Sequence, residues 1–177
     1  MAESAKAKAA FERCYEQHRA RVFHWASRYA GGRSAWAEDL THDVFVKLWQ
    51  KLPELEGPEE IQPWLYRVTA NLALTKLRSE RTVGDLLGRF FRQDAEPAVP
   101  GPEQAFDDRE DGAAALKALQ ALPERERVVL SMKILDGATQ KEISTALGLS
   151  EGYVSKLVTR GEARLRAVGW EVGDGKE

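Results

Sequence analysis

Apolar residues recur every three or four positions along most of this chain, and no stretch of useful length alternates apolar and polar residues as a half-buried strand would. From Ala9 to Tyr29 the apolar line is Phe11, Tyr15, His18 (or Cys14), Val22, Ala26 and Tyr29, which predicts an amphipathic helix ended by Gly31-Gly32. Ser34 is placed to cap a second helix with the inward stripe Ala37, Leu40, Val44 and Leu48. Pro53 and Gly57-Pro58 break it. A loop from Leu55 to Gln62 then leads to Pro63, which suits the first turn of a third helix burying Leu65, Val68, Leu72 and Thr75. Three such helices can bury a core, so residues 9–81 are expected to form a domain.

Residues 82–112 read as a linker. Leu86-Leu87 and Phe90-Phe91 could make a short apolar turn, but Pro97, Pro100, Gly101 and Pro102 oppose a long helix. A second helical domain is expected over residues 113–168, with a tail at 169–177. Leu116, Leu119 and Leu122 open it, and Pro123-Glu124 restarts a helix carrying Val128, Val129 and Leu130. The expected fold is therefore all-α: two small helical domains joined by a flexible acidic linker.

The strongest local signal lies near the C-terminus. Thr139-Gln140-Lys141-Glu142 has the form of a capping box, in which the hydroxyl and the carboxylate each satisfy an orphan amide. Ile143 and Ala146 are placed inward, Gly148 supplies a sharp turn, and Ser150 caps a helix packing through Val154, Leu157, Val158 and Leu165. That is the layout of a helix-turn-helix, whose second helix offers its N-terminal end to the major groove. Lys156, Arg160 and Arg164 recur every four residues, as a phosphate-tracking face requires. A plain helical hairpin with a solvated basic face has the same pattern.

Two other faces invite comparison. Asp39, His42, Phe45 and Trp49 fall on one line of the second helix, with Asp43 beside them. Aromatic rings framed by charge suit a protein interface, although Phe45 and Trp49 could equally pack on the first helix. The third helix carries Trp64, Arg67, Asn71, Lys76, Arg78 and Arg81. Aromatic and basic side chains together can hold unstacked bases and their phosphates; a core Trp under a cationic surface would look the same.

Charge is distributed unevenly. The net charge is −2, but residues 82–111 hold 3 Lys/Arg against 8 Asp/Glu, while the segments before and after are slightly basic. DNA affinity must then come from local patches, opposed by the acidic connector. One cysteine, Cys14, excludes an internal disulfide, and with three His it offers no zinc-type cluster. The N-terminus lacks the apolar core of a signal peptide and no run is long enough to span a membrane, so the chain reads as cytoplasmic. No nucleophile with base, paired catalytic carboxylates, metal cluster or phosphate loop is evident, which points away from an enzyme and from any cofactor.

Taken together, these segments resemble the small bacterial RNA polymerase sigma factors of the extracytoplasmic-function type, within the sigma-70 family. The likeness covers roughly residues 9–81 and 113–168. Ala37–Phe45 is similar to the family's polymerase-clamp helix, and Trp64–Ala73 to its promoter-melting helix. Leu119-Gln120-Ala121-Leu122-Pro123 with Arg127, and Lys141–Ser150, are similar to its second domain. The resemblance implies a transcription initiation factor with core RNA polymerase, promoter DNA and an anti-sigma factor as partners. Asp39, His42, Asp43, Phe45 and Trp49 would then face the polymerase clamp. Trp64, Arg67, Asn71, Lys76, Arg78 and Arg81 would serve the −10 element, with the loop Leu55–Gln62 helping to capture flipped bases. Ser150, Gly152, Tyr153, Ser155, Lys156 and Arg160 would serve the −35 element, and the acidic linker would lie in the channel that later carries RNA.

Four positions depart from the family's pattern. His42 stands for a usual Gln, Tyr153 for a usual Thr, Ser155 for a usual basic residue, and Gly161 for a usual Ala at a cost of about 1 kcal/mol in helix propensity. The main alternative is a helix-turn-helix repressor or activator that works without the polymerase core; another is a pure interaction protein of the same fold.

Overall fold

The computed structural model describes residues 2–55, 57–90 and 117–170. All regular structure among them is helical. Helix α1 spans Ala2–Ala30, α2 Ser34–Lys51 with a 3-10 turn at Leu52–Glu54, and α3 Pro58–Phe90. A helical turn over residues 117–120 precedes α4, Glu124–Leu130, which continues into a π-helical turn at Ser131–Leu135. Helices α5, Gln140–Leu147, and α6, Glu151–Ala167, complete the described chain.

Gly31 and Gly32 both take positive φ, 65° and 85°, which lets α2 fold back on α1 within three residues. The fully buried line of α2 is the expected one, Ala37, Leu40, Val44 and Leu48. Its N-cap is Arg33 rather than Ser34, and no side chain accepts there. Arg33 instead stacks on Trp36, with its guanidinium 5.2 Å from the ring, and pairs with Glu80 of α3 at 2.9 Å.

Helix α3 begins five residues before the expected start. Pro58 occupies its first position, where a missing N–H costs nothing, and Glu59 and Glu60 lie in the positively polarised first turn. Pro63 is carried inside the helix. The loop expected over 55–62 is correspondingly shorter. At its other end α3 runs through residues 82–90, so the linker does not start at 82; residues 91–112 lie outside the described residues, as do Leu116 and 171–177 of the tail. The deep line of α3 is Ile61, Leu65, Thr69, Ala73 and Leu77, with Ala70 beside it. Val68 and Leu72 are only half-buried and Thr75 is exposed, because that side of α3 faces a groove rather than α1 and α2.

The buried residues of the C-terminal unit, Leu119, Leu122, Val128, Val129, Leu130, Met132, Ile143, Leu147, Val154, Leu157, Val158 and Leu165, join those of α1–α3 in one apolar cluster. Ion pairs tie α6 to α4 and the π turn, Arg164–Glu126 at 3.0 Å and Lys133–Glu162 at 2.9 Å. The two units touch. Arg127 of α4 donates to the Tyr29 carbonyl at 3.1 Å and to that of Leu122 at 3.0 Å, filling the space over Gly31 where a β-carbon would stand. Burial of this guanidinium pushes its pKa down, and the nearby Glu124 carboxylate partly restores it.

Candidate nucleic-acid interface

The helix-turn-helix geometry follows from short-range chemistry. The Glu142 N–H donates to Thr139 Oγ1 at 3.2 Å, and the Thr139 N–H donates to the Glu142 carboxylate at 2.7 Å, closing the capping box. Gly148 ends α5 at φ 62°, a left-handed cap. Ser150 then accepts the Tyr153 N–H at 3.2 Å and opens α6. Ile143 is fully buried, whereas Ala146 is half-buried, packing against the core while lining the grooves beside α3.

Along α6, Ser150, Gly152, Lys156 and Arg160 are exposed, while Tyr153 and Ser155 are half-buried. Arg164 differs from the other two basic residues of its row, since its guanidinium is committed to Glu126. Tyr153 is held by a residue the periodicity does not reveal: Arg125 of α4 donates to its hydroxyl at 2.7 Å and lies 5.9 Å from the ring centre. Nothing sits over Gly152 within 4 Å of a notional β-carbon, so its surface is open.

On α3 the expected DNA-facing residues separate into two sets. Arg67, Asn71, Arg78 and Arg81 are exposed, and Trp64 and Lys76 are half-buried. Lys76 turns back to α2, 3.6 Å from the Asp39 carboxylate and 5.4 Å from the centre of the Trp36 ring. The residue proposed for DNA and the one proposed for protein contact are thus neighbours on adjoining faces. Trp36 itself donates to Glu80 at 2.6 Å, locking α2 to α3 at that end.

On α2, Asp39, His42 and Asp43 are exposed, and Trp49 keeps 46% of its surface. Phe45 does not share that face. It is 2% exposed and makes edge contacts with Phe11 at 6.4 Å and Tyr15 at 4.7 Å. The expectation of an outward Phe45 is corrected: its ring belongs to the α1–α2 seam, and Trp49 is the aromatic left at the surface, packed edge-on against Phe11 at 5.2 Å. Val46, 43% exposed, and Tyr15, 37% exposed, extend the apolar surface there.

Gly161 also reads differently in three dimensions. Instead of a loose point in α6, it is a buried close-approach site against Leu130 and Glu126 of α4.

Comparison with known proteins gives these surfaces a family. A family model described as Sigma-70 region 2 matches residues 14–83, and one described as Sigma-70, region 4 matches residues 118–167. The chain belongs to the sigma-70 family. Its relatives include the ECF RNA polymerase sigma factor SigL of Mycobacterium tuberculosis, 30% identical over 173 residues covering 96% of this chain and 95% of that one. The probable RNA polymerase sigma factor RfaY of Xanthomonas campestris pv. campestris is 33% identical over 135 residues, 75% of this chain. This chain spans only 34% of that relative's length, so lengths within the group vary widely. Among solved structures, the sigma factor RpoE crystallised with the anti-sigma factor NepR from Bartonella quintana has the same fold, with a TM-score of 0.63 over 90% of this chain and 96% of that one at 22% identity. Within this ECF-type sigma chain, region 2 corresponds to α1–α3 and region 4 to α4–α6. No helix among the described residues is long and apolar enough to cross a membrane, and no described cluster of three or more His, Cys, Asp or Glu is arranged to hold a metal ion.

Proposed function

We propose that this chain is a transcription initiation factor that joins core RNA polymerase and directs it to promoters with −35 and −10 elements. The observation that carries the reading is the presence, in order on one chain, of region 2 and region 4, the second with its recognition helix capped and its Lys156 and Arg160 exposed. Residues 9–81 are assigned to polymerase binding and −10 capture, and 113–168 to the −35 element. Asp39, His42, Asp43 and Trp49 form the clamp-facing surface. Trp64, Arg67, Asn71, Arg78 and Arg81 face the melted −10 strand, and Ser150, Gly152, Tyr153, Ser155, Lys156 and Arg160 face the −35 duplex.

The work is differential binding, with the bond-making left to the polymerase. Unstacked bases can be held only once the duplex has opened, so capture shifts the population toward the open state. Modest net charge keeps either unit weak on DNA alone, and attachment to one polymerase raises the effective concentration of both. The expected compartment is the cytoplasm. An inhibitory protein, of the kind crystallised with the Bartonella relative, is the expected further partner.

Run-off transcription with purified bacterial core polymerase on a library of promoter-like duplexes tests the reading. Transcripts that need the chain support it and identify the promoter. Duplex binding without any affinity for core would favour a helix-turn-helix regulator that acts alone.

A further inference from the structure

The first turn of α6 carries an aromatic side chain held at every point. The Tyr153 N–H donates to Ser150 Oγ at 3.2 Å, and its half-buried ring packs against the apolar core. The hydroxyl is held from outside the helix: Nη1 of Arg125, near the start of α4, donates to it at 2.7 Å. The guanidinium carbon lies 5.9 Å from the ring centre, so the cation sits at the hydroxyl end of the ring and does not cover its face. Beside it the space over Gly152 is open, which lets a groove wall approach the backbone.

That bond fixes more than position. A phenolic oxygen can donate or accept, whereas a guanidinium can only donate. Tyr153 must therefore accept from Arg125, and its own O–H proton is left to donate elsewhere. In the major groove a donor is met by purine N7, guanine O6 or thymine O4. Cytosine offers its N4 amino group instead, which would approach an oxygen that already faces a cation.

The charge of Arg125 is also left in play. Its bond is to a neutral phenol, unlike that of Arg164, whose guanidinium pairs with Glu126 at 3.0 Å. Arg125 is exposed, and its remaining N–H groups suit a phosphate. Tyr153, Lys156 and Arg160 step by three and four along one side of α6, with both basic residues exposed. Arg125 adds a cation from α4 at the N-terminal end of that line.

We propose that Arg125 is a positioning residue for promoter selection, holding the Tyr153 hydroxyl as a donor to one base-edge acceptor while its other N–H groups bind a neighbouring phosphate. The inference rests on the reading of α6 as the helix that meets the −35 duplex. Its consequence is discrimination against cytosine at one position of the strand that faces Tyr153.

The test is run-off transcription with core polymerase and the full chain, on a promoter that the chain uses, with the −35 element varied one position at a time. Tyr153→Phe removes the donor, Arg125→Met removes its holder, and Arg125→Lys keeps both a charge and a donor. Circular dichroism and thermal denaturation check the fold of each. The unaltered chain should disfavour cytosine at one position by about fivefold, the worth of one hydrogen bond. Tyr153→Phe and Arg125→Met should each erase that preference at the same position, the double variant should do no more, and Arg125→Lys should retain part of it. Arg125→Met should also lower the salt slope of promoter binding by about one unit, while Tyr153→Phe leaves it unchanged. An even loss of transcription in Arg125→Met, with the base profile intact, would overturn the proposal and leave Arg125 a structural role. A Tyr153→Phe profile identical to that of the unaltered chain would overturn it as well. Failure of the promoter-factor reading looks different: the unaltered chain itself would give no transcripts and bind no core, and the inference would fall with it.

Discussion

A β-carbon placed on Gly161 would stand 2.5 Å from Leu130 Cδ1, and Leu130 is fully buried. Helix α6 therefore crosses α4 at a point where only a hydrogen fits. Gly161→Ala would gain about 1 kcal/mol of helix propensity. Crowding of a packed core costs about 1–3 kcal/mol, and here the buried Leu130 side chain must shift to make room. The expected result is a net loss of about 1 kcal/mol, read as a melting temperature lower by roughly 2–4 °C. A more stable Gly161→Ala would mean that Leu130 has room to rotate.

Phe45 and Trp49 are expected to part company on truncation. Phe45→Ala removes a buried ring from the α1–α2 seam and should cost about 3–5 kcal/mol of stability. Trp49→Ala, at a half-exposed site, should leave most of the melting transition in place while weakening core polymerase binding. Paired thermal denaturation and core-binding titrations separate the two. Core affinity that survives both Trp49→Ala and Asp39→Ala would remove the clamp surface from α2.

Acidity should loosen the start of α5 first. The Thr139 N–H and then its hydroxyl hold the Glu142 carboxyl below the ordinary value of 4.5. A carboxylate whose folded pKa is lowered stabilises the fold above its unfolded pKa and stops doing so as pH falls through the folded value. Amide exchange at Glu142 and Ile143 should therefore accelerate as pH falls below 4.5, beyond the intrinsic trend. In Glu142→Gln this extra acceleration should be absent. Thr139→Ala should cost about 1 kcal/mol at neutral pH.

Lys156→Ala and Arg160→Ala should each weaken use of a −35-dependent promoter without loosening the core complex. If they neutralise phosphates, each removes about one unit from the slope of log affinity against log salt. Arg164→Ala should behave otherwise, losing stability through Glu126 more than affinity, because its charge is already paired. Equal salt slopes for all three variants would show that the row acts as one phosphate track.

Much of this molecule is legible one helical turn at a time. The Thr139–Glu142 box, the left-handed Gly148 and the Ser150 cap involve groups within three or four residues of one another, and each forms as its spacing requires. The deep stripe of α2 follows from periodicity for the same reason. The start of α3 could not be read so simply, since Pro58 and Pro63 both suit a first turn and only the observed helix shows that Pro58 takes it. Phe45 sits at the boundary of its helix's two faces, and its side was decided by Phe11 and Tyr15 arriving from α1. Gly161 has no meaning in α6 until α4 lies across it. Most remote of all, Asp136 accepts from the Arg28 guanidinium across 108 positions and from the Tyr66 hydroxyl across 70. Hydrogen bonds and caps between near neighbours are written into spacing. Contacts between distant segments depend on how the helices cross, and that is settled only when the cores have packed.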